Sequence, residues 1–228
     1  MTGTLVNTAA VIAGSLLGLL FRKGIPDNYN KTVINGISLA VIIIGFRAAL
    51  ESDRMLIVIT SLVIGSIIGE ALKIEPGLEA LGRYMGKSFS KAKEGFTQGF
   101  VTASLIFCVG SLAIVGSLES GLTGDHQTLF AKSILDGVTS VILTSSLGIG
   151  VMFSALSILL YQGGITIAAS FIKPFLVPEV ISQMTAVGGL LIIAIGLNLL
   201  ELTKIRIGNM LPAIFIPLVY YCLRLIFS

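Results

Sequence analysis

Charge is the scarcest thing in this chain. Of 228 residues, Lys and Arg supply 15 and Asp and Glu 12, together 12%. Soluble domains usually carry about 25%. Hydrophobic residues make up 54% and mean hydropathy is +0.98, which excludes a soluble globular domain. The alternation of apolar and polar residues that a membrane β-barrel needs is also missing. Catalytic signatures are absent too: there is no Walker loop, no GxSxG and no HExxH. The two cysteines, Cys108 and Cys222, lie in expected spans without CxxC or metal spacing and report nothing on redox compartment. These absences argue against ATP hydrolysis, zinc proteolysis and a resident cofactor, and polar groups near the membrane surface are too sparse for a membrane enzyme. The net charge of +3 points to orientation in a bilayer rather than to a nucleic-acid partner.

What is present is a series of uncharged stretches near the roughly 20 residues that span a bilayer as helix. The fold class is all-α: one integral membrane domain, a polytopic helical bundle embedded in the lipid bilayer. Spans are expected at about 5–21, 33–50, 55–72, 96–117, 130–146, 150–171, 180–200 and 207–226. Met1 to Phe21 lacks the basic opening of a signal peptide and reads as a retained helix. Between the third and fourth spans, EPGLEALGRYMGKSFSKAKEG places Leu78, Leu81, Met85 and Phe89 on one helical face and Glu79, Arg83, Lys87 and Lys91 on another. A basic amphipathic helix over 76–94, lying on the membrane surface, follows. Its charge, with that of RKGIPDNYNK, puts residues 73–94 on the cytoplasmic side and the N-terminus outside.

The run from Gly137 to Ile172 holds 36 uncharged residues. As helix it would reach about 54 Å against a hydrocarbon core of about 30 Å. The chain therefore turns back or bends, and SSLGIG at 145–150 supplies the glycines for it. Two short helices give eight crossings; one kinked helix or a re-entrant loop gives seven. IPDNYNKTVINGISLAVIIIG (25–45) echoes VPEVISQMTAVGGLLIIAIG (177–196) in its Pro-acid start and its glycine ten residues after the proline. With eight crossings the two copies run in opposite directions, as an inverted repeat; with seven they run parallel, and chance similarity between apolar helices would give much of the same pattern.

Asp136 is the sharpest candidate for chemistry. Thr139, Ser140 and Thr144 follow it at i+3, i+4 and i+8, so one helix face carries an acid and three hydroxyls, with Ser145 beside the expected break. Acids inside spans are costly and tend to mark ion or substrate paths. Hydroxyls and freed carbonyls at a broken helix are ligands for a hard cation, and the carboxyl can instead carry a proton. The structural alternative is an interfacial helix cap. Asn7 and Asn35 adjoin small residues that leave room for a ligand; Gln162 and Asn198 read more simply as interhelical hydrogen-bonding groups. Arg47, Glu70, Glu201 and His126 read as interfacial or loop residues, with Arg47 and Glu70 near opposite faces.

The segment FCVGSLAIVGSLESGLTGDHQTLFAKSILDGVTSVILTSSLGIGVMFSALSILLYQG (107–163) and the opening GTLVNTAAVIAGSLLGLLFRKGIP resemble the YdfK/YqgA-like bacterial membrane proteins, a family built on a domain of unknown function. The resemblance covers essentially the whole chain. It implies a bacterial cytoplasmic-membrane location and no substrate, and it assigns no functional residues.

The sequence reads best as a small secondary transporter or channel for a cation or small solute. Asp136 and its hydroxyl face would form the site, with Asn7 and Asn35 contributing from other helices. The alternative is a non-transporting protein that binds a partner or lipid through the basic amphipathic helix. Glycine-rich faces suit a homodimer as well as internal packing.

Overall fold

The computed structural model describes residues 1–22, 27–77, 80, 96–108 and 111–227. The helices are α1 (Thr2–Arg22), α2 (Asp27–Ala49), α3 (Met55–Leu72), α4 (Phe96–Cys108), α5 (Ser111–Leu122), α6 (Gln127–Leu147), α7 (Gly150–Ile167), the single turn α8 (Ala169–Ile172) and α9 (Pro178–Leu199). A 3-10 helix, Ile207–Phe215, then leads into α10 (Ile216–Phe227). No strand occurs among the described residues. Most of the expected amphipathic helix, 76–94, lies outside the described residues.

Among the described residues, five helices are long and apolar enough to cross a membrane, or six if the bent pair α4–α5 counts as one. This is fewer than the seven or eight expected. In α2 the first six residues, DNYNKT, are polar, which shortens its apolar stretch. In α6, Lys132, Asp136 and the hydroxyls dilute a helix of 21 residues. At 1.5 Å per residue α6 is still about 31 Å long, enough for the hydrocarbon core. Where a single span is expected at 96–117, α4 and α5 form a pair bent by 60°, a broken span or a re-entrant loop.

Glycine decides how the helices meet. A Cβ on Gly14 would strike Gly137 and Ser140, and one on Gly18 would strike Val141 and Thr144. Gly3 lies against Leu129 in the same register. The contacts advance together, so α1 and α6 run parallel with their backbones close, the use of small-xxx-small spacing in membranes. Then α7 comes back antiparallel to α1, with Asn7 meeting Gln162 and Thr4 meeting Thr166. The chain therefore reverses between α6 and α7, as the long uncharged run requires. Gly148 makes the turn at φ 85°, ψ −164°, a region open essentially to glycine alone.

The two echoed segments lie against each other. Gly45 of α2 faces Gly189 and Ile193 of α9, while Ser38 and Ile42 face Gly196. These contacts run in opposite directions along the two helices. The same antiparallel pairing joins α3 to the 3-10 helix, where Gly65 meets Ala213 and Gly69 meets Asn209. Thus α1, α2 and α3 each pack antiparallel to α7, α9 and the 3-10 helix, in chain order. Pro178 opens α9 at a first-turn position that needs no N–H. Among the five candidate spans of the described residues α9 is the most enclosed, with 78% of its apolar stretch buried against 22% for α3. The core gathers on it, with Val187, Leu191 and Ile192 almost wholly buried.

Polar pairs at the helix ends fix the periphery. Asn209 donates to Glu70 (2.6 Å) and accepts from the Glu75 N–H (2.7 Å), and Arg206 reaches Glu70 (3.1 Å). Arg54, just before α3, pairs with Glu179 in the first turn of α9 at 3.2 Å. Glu70 thus finds a partner other than Arg47, as their expected opposite placement requires.

A candidate polar site inside the helical bundle

Residues 132, 136, 140 and 144 recur every four positions and share one face of α6. All four are buried, and Asp136, Ser140 and Thr144 meet Asn7, Gly14 and Gly18 of α1. The face is polar because the sequence places Lys, Asp, Ser and Thr there. It is buried because Ala10, Gly14 and Gly18 let α1 approach.

Lys132 Nζ lies 2.6 Å from Asp136 Oδ2, and the two side chains are 7% and 9% exposed. Asn7 Nδ2 donates to the same carboxylate oxygen at 2.9 Å and to Gln162 Oε1 at 3.3 Å. Four polar side chains from α1, α6 and α7 thus form one enclosed network. Two of its atoms are left over: Asn7 Oδ1, an acceptor, and Gln162 Nε2, a donor, are buried without a hydrogen-bond partner. Unpaired buried polar atoms cost about 1–3 kcal/mol each. Ionising a buried pair costs several kcal/mol per ion, which attraction recovers only in good geometry. A bundle selected for packing alone has cheaper solutions.

Two further features adjoin the network. Cys108 ends α4 where that helix breaks, and the charges of both Lys132 and Asp136 act on it. A cleft of about 280 Å³ opens between α4, α7 and the 3-10 helix. Its walls include Phe100, Ser104, Cys108, Ser157 and Tyr161, with the Ser104 and Ser157 hydroxyls 2.8 Å apart. Tyr161 precedes Gln162, so the cleft and the network share α7. No group of three or more metal-ligating His, Cys, Asp or Glu side chains occurs among the described residues.

Of the residues singled out in the sequence, Asp136 and Asn7 are brought into direct contact. Ser140 and Thr144 share the Asp136 face. Ser140 spends its hydroxyl on the Gly137 carbonyl at 2.7 Å, and Thr144 Oγ1 is buried without a partner. Three do not join. Ser145 bonds back to Ile142 at 2.8 Å, and Thr139 is rotated to a half-buried flank. Asn35 is exposed on α2, which packs on α9. Lys132 was missed, because as the last base before the uncharged run it looks like the end of a span. The i, i+4 spacing of Lys132 and Asp136 was the available signal. Gln162 was read as a structural amide, yet it is part of the network.

The fold and this buried polar network define an integral membrane protein of helical class. Residues 2–222 match the family described as "Protein of unknown function (DUF554)", and the chain belongs to that family. It is 35% identical over 221 residues to the "Uncharacterized membrane protein YdfK" of Bacillus subtilis (strain 168), covering 95% of this chain and 94% of the relative. It is 30% identical over 221 residues to the "Uncharacterized protein YqgA" of Escherichia coli (strain K12), again covering 95% and 94%. No solved structure matches it.

Proposed function

We propose that the protein is a small secondary transporter or channel of a bacterial cytoplasmic membrane, handling a cation or small solute at Asp136. The observation that carries this reading is the enclosed Lys132–Asp136 pair, tied by Asn7 to Gln162 and set beside the break after Cys108. Ionisable groups within spans face cavities or partners and mark pathways. Helices interrupted at depth, between elements that pack as inverted copies, are the usual frame of such sites. The site comprises Asp136, Asn7, Lys132 and Gln162, with Ser140 and Thr144 continuing its polar face.

The test is flux in proteoliposomes, screening Na⁺, K⁺, Mg²⁺, Mn²⁺ and H⁺, with wild type beside Asp136→Asn. Flux in wild type that is lost in a well-folded variant supports the reading. Full-rate flux in the variant removes Asp136 from the site.

A further inference from the structure

We infer that the Lys132–Asp136 pair is a proton-for-cation exchange site, at which a small monovalent cation binds Asp136 and expels the Lys132 proton. The inference rests on the transport reading and adds to it the coupling ion and the substrate class.

The ammonium of Lys132 stands where a bound cation would stand, 2.6 Å from the Asp136 carboxylate. It is a compact charge on a flexible stem, and unlike a guanidinium it can give up its proton. Oxygen ligands for a hard cation are already gathered. The Asp136 carboxylate and Gln162 Oε1 both accept from Asn7 Nδ2, and a half-turn of the Asn7 amide would bring its Oδ1, now buried with no partner of its own, to the same point. One carboxylate favours a monovalent ion. With the ammonium present the site is neutral, and with a monovalent ion and a neutral amine it is neutral again. A divalent ion would leave a net charge in a medium of low dielectric constant, which is expensive.

The step balances. The cation enters the carboxylate, one N–H bond of Lys132 breaks, the electron pair stays on Nζ, and the proton leaves to water. Nothing is oxidised or reduced. On the α1 side Asn7 closes over the pair, with Gly3 against Leu129 before it and Ala10 against Gly137 after it. Cys108, within electrostatic reach of both charges, lines the largely apolar cleft between α4 and α7. Among the described residues, the Cys108 thiol at the end of α4 lies within electrostatic reach of the pair. From α1 comes the amide of Asn7 alone.

The experiment has two parts, each on full-length protein. In lightly buffered micelles, NaCl, KCl or LiCl is added with choline chloride as the ionic-strength control, and proton release is read with a pH indicator. In liposomes, an imposed gradient of the same cation is tested for opposed proton movement, with the membrane potential clamped. Wild type is expected to release one proton per bound cation, and to exchange at a rate the clamp does not change. Lys132→Arg keeps a paired charge that cannot deprotonate, so it should fold normally and do neither. Asp136→Asn should also do neither. Proton release without flux keeps the exchange site and removes the transport reading. Flux without proton release, or release that persists in Lys132→Arg, overturns the inference and leaves transport standing. Absence of both in wild type overturns both.

Discussion

Lys132 and Asp136 sit one helical turn apart on α6 and form an ion pair that is at least nine-tenths enclosed by other helices. The pair is local in sequence, but its burial is not. It depends on α1 and α7, which supply Asn7 and Gln162 from 129 and 26 residues away from Asp136.

The pair should behave as a thermodynamic unit. Removing one partner leaves a buried charge uncompensated, at a cost of about 3–5 kcal/mol, whereas replacing both by apolar groups is close to neutral or stabilising. Lys132→Met and Asp136→Leu are each expected to lower the melting temperature markedly in nanodiscs. The double variant is expected to recover most of the loss. Circular-dichroism melts of the four proteins measure this coupling directly, and additive losses would show that the pair does not act as a unit.

The α1–α6 seam should be intolerant of a single methyl group. A Cβ on Gly14 meets the Gly137 backbone, which cannot rotate away, while one on Gly36 meets nothing within 4 Å. Gly14→Ala is expected to cost about 1–3 kcal/mol by overpacking. Gly36→Ala should be neutral or stabilise by up to about 1 kcal/mol, because it removes glycine's conformational freedom from a helix. Comparing their melts tests the close approach, and equal effects would contradict it.

One prediction concerns pH. Glu51, in the turn between α2 and α3, has its carboxyl pushed above the ordinary value by burial, partly opposed by the nearby Arg47. A raised value means the folded protein favours the protonated acid. Its contribution is therefore present at low pH and is lost as pH rises through the folded value. Glu51→Gln keeps the neutral form at every pH. It should raise the melting temperature at neutral pH, with an advantage that fades as pH falls toward 4.5, the ordinary value for the group. An advantage that grows on acidification would reverse the sign and sink the account.

Much of the fold was legible because membrane helices announce themselves by length and composition. The reversal at Gly148 followed from a run too long for one crossing. The echo between 25–45 and 177–196 left the two copies antiparallel or parallel according to the number of crossings, and the contacts of α2 with α9 are antiparallel. The site was legible only where its signal was local. Asp136 stood out as an acid at the edge of an apolar run, and Asn7 as an amide among small residues. Gln162 joins them across a contact 155 residues long, which no periodicity reveals. The break between α4 and α5 carries no charge or proline to mark it. Asn35 had the same composition cues as Asn7, but the face it occupies is set by how α2 docks on α9.

The most direct measurement is flux through the stability-matched double variant. Lys132→Met with Asp136→Leu removes the pair while leaving the bundle packed, so folding and function separate. If the pair handles a transported ion or solute, wild-type proteoliposomes carry flux and this variant, folded and inserted, carries none. Equal flux through both would make the pair a structural element and would contradict the central claim.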